Sequence, residues 1–100
     1  LSLMKMHNPP HPGQFIVETF LKPYNISARH LANDLNVSPS TLNRILQEKS
    51  SISPKMAIRL SIALKLSPEM WMKMQAQYDL WHAEKKIDGS KIHELQLQAV

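Results

Sequence analysis

The chain contains no cysteine and only two glycines among its 100 residues. Without cysteine, neither a disulfide framework nor a thiolate metal site can form, which suits a reducing cytoplasm. With only Gly13 and Gly89, no glycine-rich loop is available to hold a nucleotide phosphate. No apolar run approaches the ~20 residues that span a bilayer, and no secretory signal pattern opens the chain. We therefore expect a soluble cytoplasmic protein without a membrane partner.

Side chains arranged for catalysis or for holding a cofactor are also lacking. No His-Glu-x-x-His pair occurs. His7 and His11 are four residues apart, but Pro9 and Pro10 between them forbid the helix that a metal-binding pair at this spacing needs. Most serines fall at predicted helix starts or in one polar loop, with no histidine and carboxylate grouped around them. We predict neither an enzyme nor a metal or cofactor site.

Positive charge is present and unevenly distributed. The net charge is +4, and 43% of the residues are hydrophobic, which suits one domain with a modest core that a partner chain can complete. Residues 22–65 carry seven basic and two acidic side chains, whereas residues 66–100 carry four and five. This distribution is compatible with nucleic-acid binding and equally with an ordinary solvated face.

The stretch from Ser27 to Leu46 has the pattern of two short amphipathic helices joined by a tight turn. Asn36 is predicted to end the first helix in the left-handed conformation. Ser38 and Pro39 are predicted to start the second helix as N-cap and first helical residue. The apolar positions recur at the spacing of one buried helical stripe. The residues predicted to face the core are Ala28, Leu31, Ala32, Leu35, Leu42, Ile45 and Leu46.

Three further helices are predicted around this pair. The first runs from Pro12 to about Leu21 and is expected to stop before Pro23, because the residue before a proline disfavours helical backbone. Ser-Pro pairs start a fourth helix at Pro54 and a fifth, running from Pro68 to about Lys85.

We accordingly divide the chain into three parts. Residues 1–11 form an extended N-terminal arm, and residues 12–86 form the helical domain. Gly89 interrupts helical structure, so that residues 87–100 are either a tail or a short last helix.

The fifth helix carries more apolar surface than one core contact needs. One stripe comprises Trp71, Met74, Tyr78 and Trp81, and a second, about 100° round the helix axis, comprises Met72, Ala76 and Leu80. A large core can absorb both stripes, since tryptophan and methionine are common core residues. Aromatic and methionine side chains are also enriched at the centres of interfaces. We predict a homodimer through the stripe that contains the two tryptophans.

The outer face of the second helix of the pair suits readout of DNA bases. A helix in the major groove presents its N-terminal end and outer face to base edges. Arg44 can donate two hydrogen bonds to guanine O6 and N7, and Ser40 and Thr41 can bond a base or a phosphate. An ordinary surface arginine is the alternative for Arg44. Phosphate contacts orient the protein without reading sequence. They are predicted for Ser27, Arg29, His30, Ser38, Asn43, Lys49 and Ser51. The contact of Ser38 requires that its hydroxyl is not committed to capping.

Several segments resemble one known family over about residues 9–88. The helix pair resembles the phage-repressor (XRE-like) helix-turn-helix, with Asn36 in place of the usual glycine. The start at His11-Pro12-Gly13, together with Pro68-Glu69-Met70-Trp71 and Tyr78-Asp79-Leu80, is more specific and resembles the HigA/VapI antitoxins. The runs at residues 38–46 and 53–60 are similar to the same family.

The resemblance implies an all-α, five-helix, lambda-repressor-like domain with a short C-terminal extension. It further implies an antitoxin of a type II toxin–antitoxin pair, which represses its own operon as a dimer on a palindromic operator and neutralises a RelE-like mRNA-cleaving toxin. No toxin-binding motif is identifiable, and a stand-alone XRE-type repressor is the alternative. A pure protein-interaction module would instead show no salt-dependent affinity for DNA.

Overall fold

The structure is a computed structural model that describes residues 8–99. Most of the predicted N-terminal arm, including His7, lies outside the described residues. Five helices follow one another, α1 in three consecutive segments (Pro12–Ile16, Val17–Leu21 and Lys22–Tyr24), α2 at Ala28–Leu35, α3 at Pro39–Leu46, α4 at Pro54–Leu64 and α5 at Pro68–Glu84. Residues 8–99 form no strand, and none of their helices is long and apolar enough to cross a membrane. The prediction of an all-α fold with five helices is confirmed.

Serine caps start the last four helices, α2 to α5. In each case the hydroxyl oxygen accepts the backbone N–H of the residue three positions later, at 3.0–3.2 Å. A proline occupies the first helical position of α3, α4 and α5, where a backbone N–H would have no helical partner. The predicted Ser-Pro starts are therefore confirmed. Such a cap stabilises its helix by about 1 kcal/mol.

Helix α1 does not stop before Pro23, so the predicted end of this helix is wrong. It continues to Tyr24 and ends at Asn25 in the left-handed conformation, with φ 54°. The middle segment is a π-helix, in which the N–H of Lys22 bonds to the carbonyl of Val17, five residues earlier. In an α-helix the Pro23 ring would clash with the carbonyl four residues before it. The wider π turn changes this register and lets the helix run through the proline.

Trp71 of α5 lies at the centre of the core and is fully buried. Its ring makes an edge contact with Phe15 of α1, with centroids 5.8 Å apart, and lies 6.5 Å from the Phe20 ring. The prediction that Trp71 belongs to a dimer interface is therefore wrong, because its side chain offers no surface to a partner. The other buried apolar residues are Ile16, Leu21, Leu31, Ala32, Leu35, Leu42, Ile45, Ile52, Met56, Ala57 and Leu60.

The second apolar stripe of α5 is the one that reaches solvent. Ala76 is exposed and Met72 is half-buried, while Leu80 is 63% exposed. Ile58 on the neighbouring helix α4 is also exposed. A groove of about 480 Å³ runs between the two helices and is lined by Pro54, Ala57, Ile58, Pro68, Glu69, Met72, Lys73 and Ala76. We call this feature the α4–α5 groove.

The described chain beyond α5 has little regular secondary structure. Helix α5 ends at Glu84, and a single 3-10 turn follows at Gly89–Lys91. Residues 92–99 have no regular secondary structure and are exposed. Ile92, Leu95 and Leu97 are each exposed by more than 60%. No short last helix forms in this segment.

Candidate nucleic-acid interface

The turn between α2 and α3 is fixed by backbone conformation and by an arginine from α4. Asn36 adopts the left-handed conformation, with φ 57°, as the sequence predicted. The N–H of Val37 bonds to the carbonyl of Ala32 at 3.0 Å and closes the end of α2. Arg59 Nη1 donates to the carbonyls of Leu35 and Asn36, at 2.8 and 3.2 Å. In the sequence, Arg59 is one of the basic side chains of residues 22–65, and nothing there predicts its role in holding the turn.

Helix α3 is anchored by its apolar side and presents its polar side to solvent. Leu42 and Ile45 are buried, and Leu46 is partly buried against the core. Four polar residues are exposed on this short helix, namely Ser40, Thr41, Asn43 and Arg44. The three residues predicted to read bases therefore share one open face with a predicted phosphate contact.

The hydroxyl of Ser38 is committed at the start of α3. Its oxygen accepts the N–H of Thr41 at 3.2 Å and is hydrogen-bonded to Thr41 Oγ1 at 2.8 Å and to Ser40 Oγ at 3.2 Å. The phosphate contact predicted for Ser38 is not supported, because capping and these two hydroxyls occupy it. Ser40 and Thr41 form part of one hydroxyl cluster with the cap, which orders their side chains at the exposed end of the helix.

Arg44 does not extend freely into solvent from the end of α3. Its Nε donates to Ser50 Oγ at 3.0 Å, and its Nη2 donates to the backbone carbonyl of Lys49 at 3.3 Å. Both partners belong to the loop between α3 and α4. The sequence predicted phosphate contacts at Lys49 and Ser51 in this loop but no contact to Arg44, since nothing in a linear pattern pairs residues six positions apart across a helix end.

The other predicted phosphate contacts lie on the surface and remain predictions. Arg29, Lys49 and Ser51 are exposed. The Ser27 hydroxyl caps α2 by accepting the N–H of His30. The His30 ring lies 3.4 Å from an Asp34 carboxylate oxygen, a neighbour that would compensate any charge on the imidazole.

The start of α1 packs directly against the last turn of α3. A Cβ on Gly13 would lie 2.0 Å from the carbonyl oxygen of Ile45 and 3.0 Å from the Leu46 Cα, so that only glycine fits. His11 is buried and caps α1, because its Nδ1 accepts the N–H of Gly13 at 2.9 Å. The His11 ring meets the Tyr78 ring of α5 edge-on at 4.8 Å. The sequence predicted no packing role for His11 or Gly13, and Tyr78 was expected in a dimer interface rather than against His11.

Burial sets the protonation of His11. Desolvation lowers the pKa of its imidazole, which the nearby carboxylates of Glu48 and Asp79 oppose. A neutral ring is also what the cap requires, because a protonated Nδ1 cannot accept a hydrogen bond. Within residues 8–99, no three histidine or acidic side chains are grouped to hold a metal ion. Its cap on α1 and its contact with Tyr78 make His11 part of the scaffold behind α3.

Gln75 of α5 hydrogen-bonds to the loop between α3 and α4. It is buried on α5, where its Oε1 accepts the N–H of Ile52 at 2.8 Å and its Nε2 donates to Asp79 Oδ1 at 3.0 Å. An unpaired buried amide would cost ~1–3 kcal/mol, and here both ends have partners. The position of Gln75, one turn after the buried Trp71, was the available signal that it faces inwards. The loop thus lies between two fixed supports, α1 and α5.

Comparison with known proteins identifies the family. Residues 17–71 match the helix-turn-helix family model HTH_3. Over 95 residues the chain is 41% identical to the HTH-type transcriptional regulator YddM of Escherichia coli K12, covering 95% of this chain and 100% of the relative. The structure of antitoxin GraA superposes with a TM-score of 0.80 at 40% identity, covering 90% of this chain and 97% of that one. Pseudomonas aeruginosa antitoxin HigA, solved with the higBA promoter, superposes with a TM-score of 0.79 at 38% identity. The match covers 88% of this chain and 96% of that one.

The chain belongs to the XRE-like helix-turn-helix family of HigA-type antitoxins. This confirms the resemblance that the sequence motifs indicated. The range matched by the helix-turn-helix family contains all of α2, α3 and α4. The relatives named above are a transcriptional regulator and two antitoxins. In this HigA-type chain, His11 and Gly13 lie outside the matched range, yet Gly13 packs against the end of α3 and His11 caps the helix that carries Gly13.

Proposed function

We propose that this HigA-type chain is an antitoxin that binds operator DNA through α3 and represses its own operon. The observation that carries the proposal is the exposed polar face of α3, displayed on a helix-turn-helix whose turn is locked by Arg59. The P. aeruginosa relative solved with promoter DNA supports the same use of the fold. A helix presented in this way fits the major groove and places few residues against base edges.

The roles proposed on DNA follow from position. Ser40, Thr41 and Arg44 would contact bases, with the fork of Arg44 suited to guanine. Lys49 and Arg29 supply exposed charge for phosphates and would contribute affinity without sequence preference. Ser27, Asn43 and Ser51 are proposed phosphate contacts that carry no formal charge. His30 is a further proposed contact and lies beside the Asp34 carboxylate.

Selection of duplexes from a random DNA library tests the proposal. We expect the protein to enrich a palindrome whose half-sites are about one helical turn, ~34 Å, apart. Its affinity for the enriched duplex should fall steeply as salt rises, since phosphate contacts release counterions. Failure to enrich any sequence, at a salt concentration where random duplexes are not bound, would contradict DNA reading.

The palindrome requires two copies of the chain, and we propose that they meet at the α4–α5 groove. Ile58 lines the groove, Leu80 follows Ala76 by one helical turn, and both expose apolar side chains. A twofold contact places the same patch of both copies face to face. Among the residues of the stripe first predicted, Met74 is partly buried against the core, and Tyr78 contacts His11 within the chain. Trp81 remains a candidate at the edge of the interface, with Lys85 Nζ 4.6 Å from its ring centroid.

We further propose a cognate toxin as the second protein partner, of the RelE-like, mRNA-cleaving class. Membership of the HigA-type antitoxins supports it. Co-expression with the product of the neighbouring gene in the cytoplasm tests it, and we expect the two proteins to purify together and growth arrest to be relieved. Operator binding without such a neighbour would instead favour a stand-alone XRE-type repressor.

A further inference from the structure

We propose that Ser50 is a positioning residue for base readout, because it holds one edge of the Arg44 guanidinium and leaves another edge aimed outwards. This inference rests on the proposed DNA-binding function and adds a specificity-determining residue outside α3. Ser50 lies in the loop after that helix, where the sequence indicated a polar loop whose side chains could donate to phosphates but no contact to Arg44. The contacts on both sides of the loop carry the argument.

The chemistry of the guanidinium defines which edge is free. An arginine has five N–H donors in a rigid plane. The Nε–H and one Nη2–H share an edge, and these two nitrogens donate to Ser50 Oγ at 3.0 Å and to the Lys49 carbonyl at 3.3 Å. The second Nη2–H and an Nη1–H form the end of the plane, which the loop leaves unused. That end is the pair of donors that matches guanine O6 and N7.

The loop that holds Arg44 is itself tightly tied to the end of α3. Glu48 adopts the left-handed conformation, with φ 63°. The N–H groups of Lys49 and Ser50 donate to the backbone carbonyl of Arg44, at 2.8 and 3.2 Å. The loop therefore hydrogen-bonds to both the backbone and the side chain of Arg44. Its backbone bonds have the arrangement of a helix-ending Schellman turn.

Two other helices prevent this loop from moving away. Gln75 of α5 accepts the N–H of Ile52 at 2.8 Å. The ring of His11, at the start of α1, lies close enough to the backbone of Ser50 for that backbone to raise the pKa of the ring. Ser50 is half-buried, so its hydroxyl presents a fixed acceptor rather than a mobile surface group. The orientation of Arg44 is thus imposed by α1 and α5 as well as by its own helix.

A side chain that is already oriented loses less conformational freedom when it meets its base. Holding one arginine in place is worth about 2- to 10-fold in affinity. Since a misaligned Arg44 can still meet phosphates, the effect of Ser50 should fall on discrimination between bases rather than on general attraction to DNA.

A double-mutant cycle on the full chain tests the proposal. Dissociation constants are measured for wild type, Ser50→Ala, Arg44→Ala and the double variant on the selected operator, on each single base-pair substitution of it, and on a random duplex. We expect Ser50→Ala to weaken operator binding about 2- to 10-fold and to relax preference at the same base pair as Arg44→Ala. In the Arg44→Ala background, Ser50→Ala should have no further effect. Ser50→Thr, which keeps the hydroxyl, should restore discrimination.

Several outcomes would overturn the positioning role. Equal losses from Ser50→Ala with and without Arg44 would assign Ser50 to an independent contact or to the fold. Unchanged discrimination in Ser50→Ala, while Arg44→Ala loses it, would show that Arg44 needs no positioning. If the wild-type protein selects no DNA sequence, that result would instead contradict the proposed DNA-binding function itself.

A measurement without DNA separates these failures. In the free protein, the Arg44 Nε–H resonance should exchange slowly with solvent in wild type and Ser50→Thr, and rapidly in Ser50→Ala. Fast exchange in wild type would contradict the geometry whatever the protein binds.

Discussion

Gly13 shows how a single residue outside the helix-turn-helix controls it. The residue has no side chain where the first turn of α1 lies against the last turn of α3, and the Ile45 carbonyl oxygen would be 2.0 Å from an added Cβ. Backbone cannot move aside as the end of a flexible side chain can. The position of α3 relative to α1 therefore depends on the absence of one methyl group.

We expect Gly13→Ala to destabilise the fold by about 3 kcal/mol, at the upper end of the cost of overpacking. Chemical denaturation of the two proteins measures the difference. Gly89→Ala is the matched control, because nothing lies within 4 Å of a Cβ there, and its free energy of unfolding should change by less than about 0.5 kcal/mol. Equal stability of both variants and wild type would show that α1 and α3 do not approach as described.

His11 makes the stability depend on pH. Burial lowers the pKa of its ring below the ordinary 6.5, so the unfolded chain takes up a proton more readily than the folded one. The free energy of unfolding should therefore fall as the pH decreases from about 7 through the ordinary histidine pKa, until the folded protein also binds the proton. His11→Asn, which keeps an N-cap acceptor, should flatten this dependence in thermal melts between about pH 5 and 7.5.

His93→Asn is the control for this effect, because His93 lies in the exposed tail. It should leave the pH dependence as in wild type. A His11→Asn protein whose melting temperature changes with pH as steeply as wild type would exclude His11 as the source.

Residue-scale prediction from sequence succeeded where the chemistry is local. Ser38 caps α3 and Asn36 ends α2 in the left-handed conformation. Both roles involve only backbone within a few positions, so the order of residues in the sequence is enough to predict them. The Arg44–Ser50, Arg59–Asn36 and Gln75–Ile52 hydrogen bonds depend on how helices and loops meet. Those pairs carry no periodic pattern and were found only in the structure.

At the scale of the element, the helix ends contain residues under backbone strain. Lys65 ends α4 in the left-handed conformation, with φ 70°. A residue with a Cβ is disfavoured there, whereas glycine accepts this conformation freely. Asn25 and Asn36 occupy the same conformation at the ends of α1 and α2, with less penalty because asparagine tolerates it.

Lys65→Gly should therefore stabilise the protein, by about 1 kcal/mol. Lys55→Gly, the same exchange at an exposed site inside α4, should destabilise it by about 0.5–1 kcal/mol. Urea denaturation of both variants provides the comparison. Destabilisation of similar size at both sites would contradict the left-handed end of α4.

Element boundaries and faces were only partly predictable. Proline chemistry alone stops α1 before Pro23, but the π turn that accommodates it is a tertiary adjustment without a sequence signal. The two stripes of α5 were visible from periodicity. Which stripe faces the core was not, since both are apolar and only packing against Phe15 and Phe20 selects Trp71.

At the scale of the whole molecule, the fold leaves one broad apolar surface open at the α4–α5 groove. Ala76 lines it and is exposed, so a charge at this position should not disturb the core. If the proposed dimer forms, we expect Ala76→Glu to convert it into monomer in sedimentation at micromolar concentration. The melting curves of wild type and variant should coincide at a concentration where both are monomeric. Burying an unpaired carboxylate in an apolar contact is strongly unfavourable.

The neighbouring residue offers a matched control. Gln77 is exposed on α5 about 100° further round the axis, and Gln77→Glu should remain dimeric. Monomeric wild type, or dissociation caused equally by both variants, would contradict an interface at the groove.

The proposed function depends on α3 reading DNA, and the affinity of Arg44→Ala for the selected operator tests this most directly. Titrations of wild type and Arg44→Ala are made on the operator and on a random duplex at one salt concentration. We expect the variant to bind the operator about 1–3 kcal/mol more weakly, to retain the wild-type melting temperature within a few degrees, and to lose its preference at one base pair. Operator affinity and base preference equal to wild type would contradict readout by this face of α3.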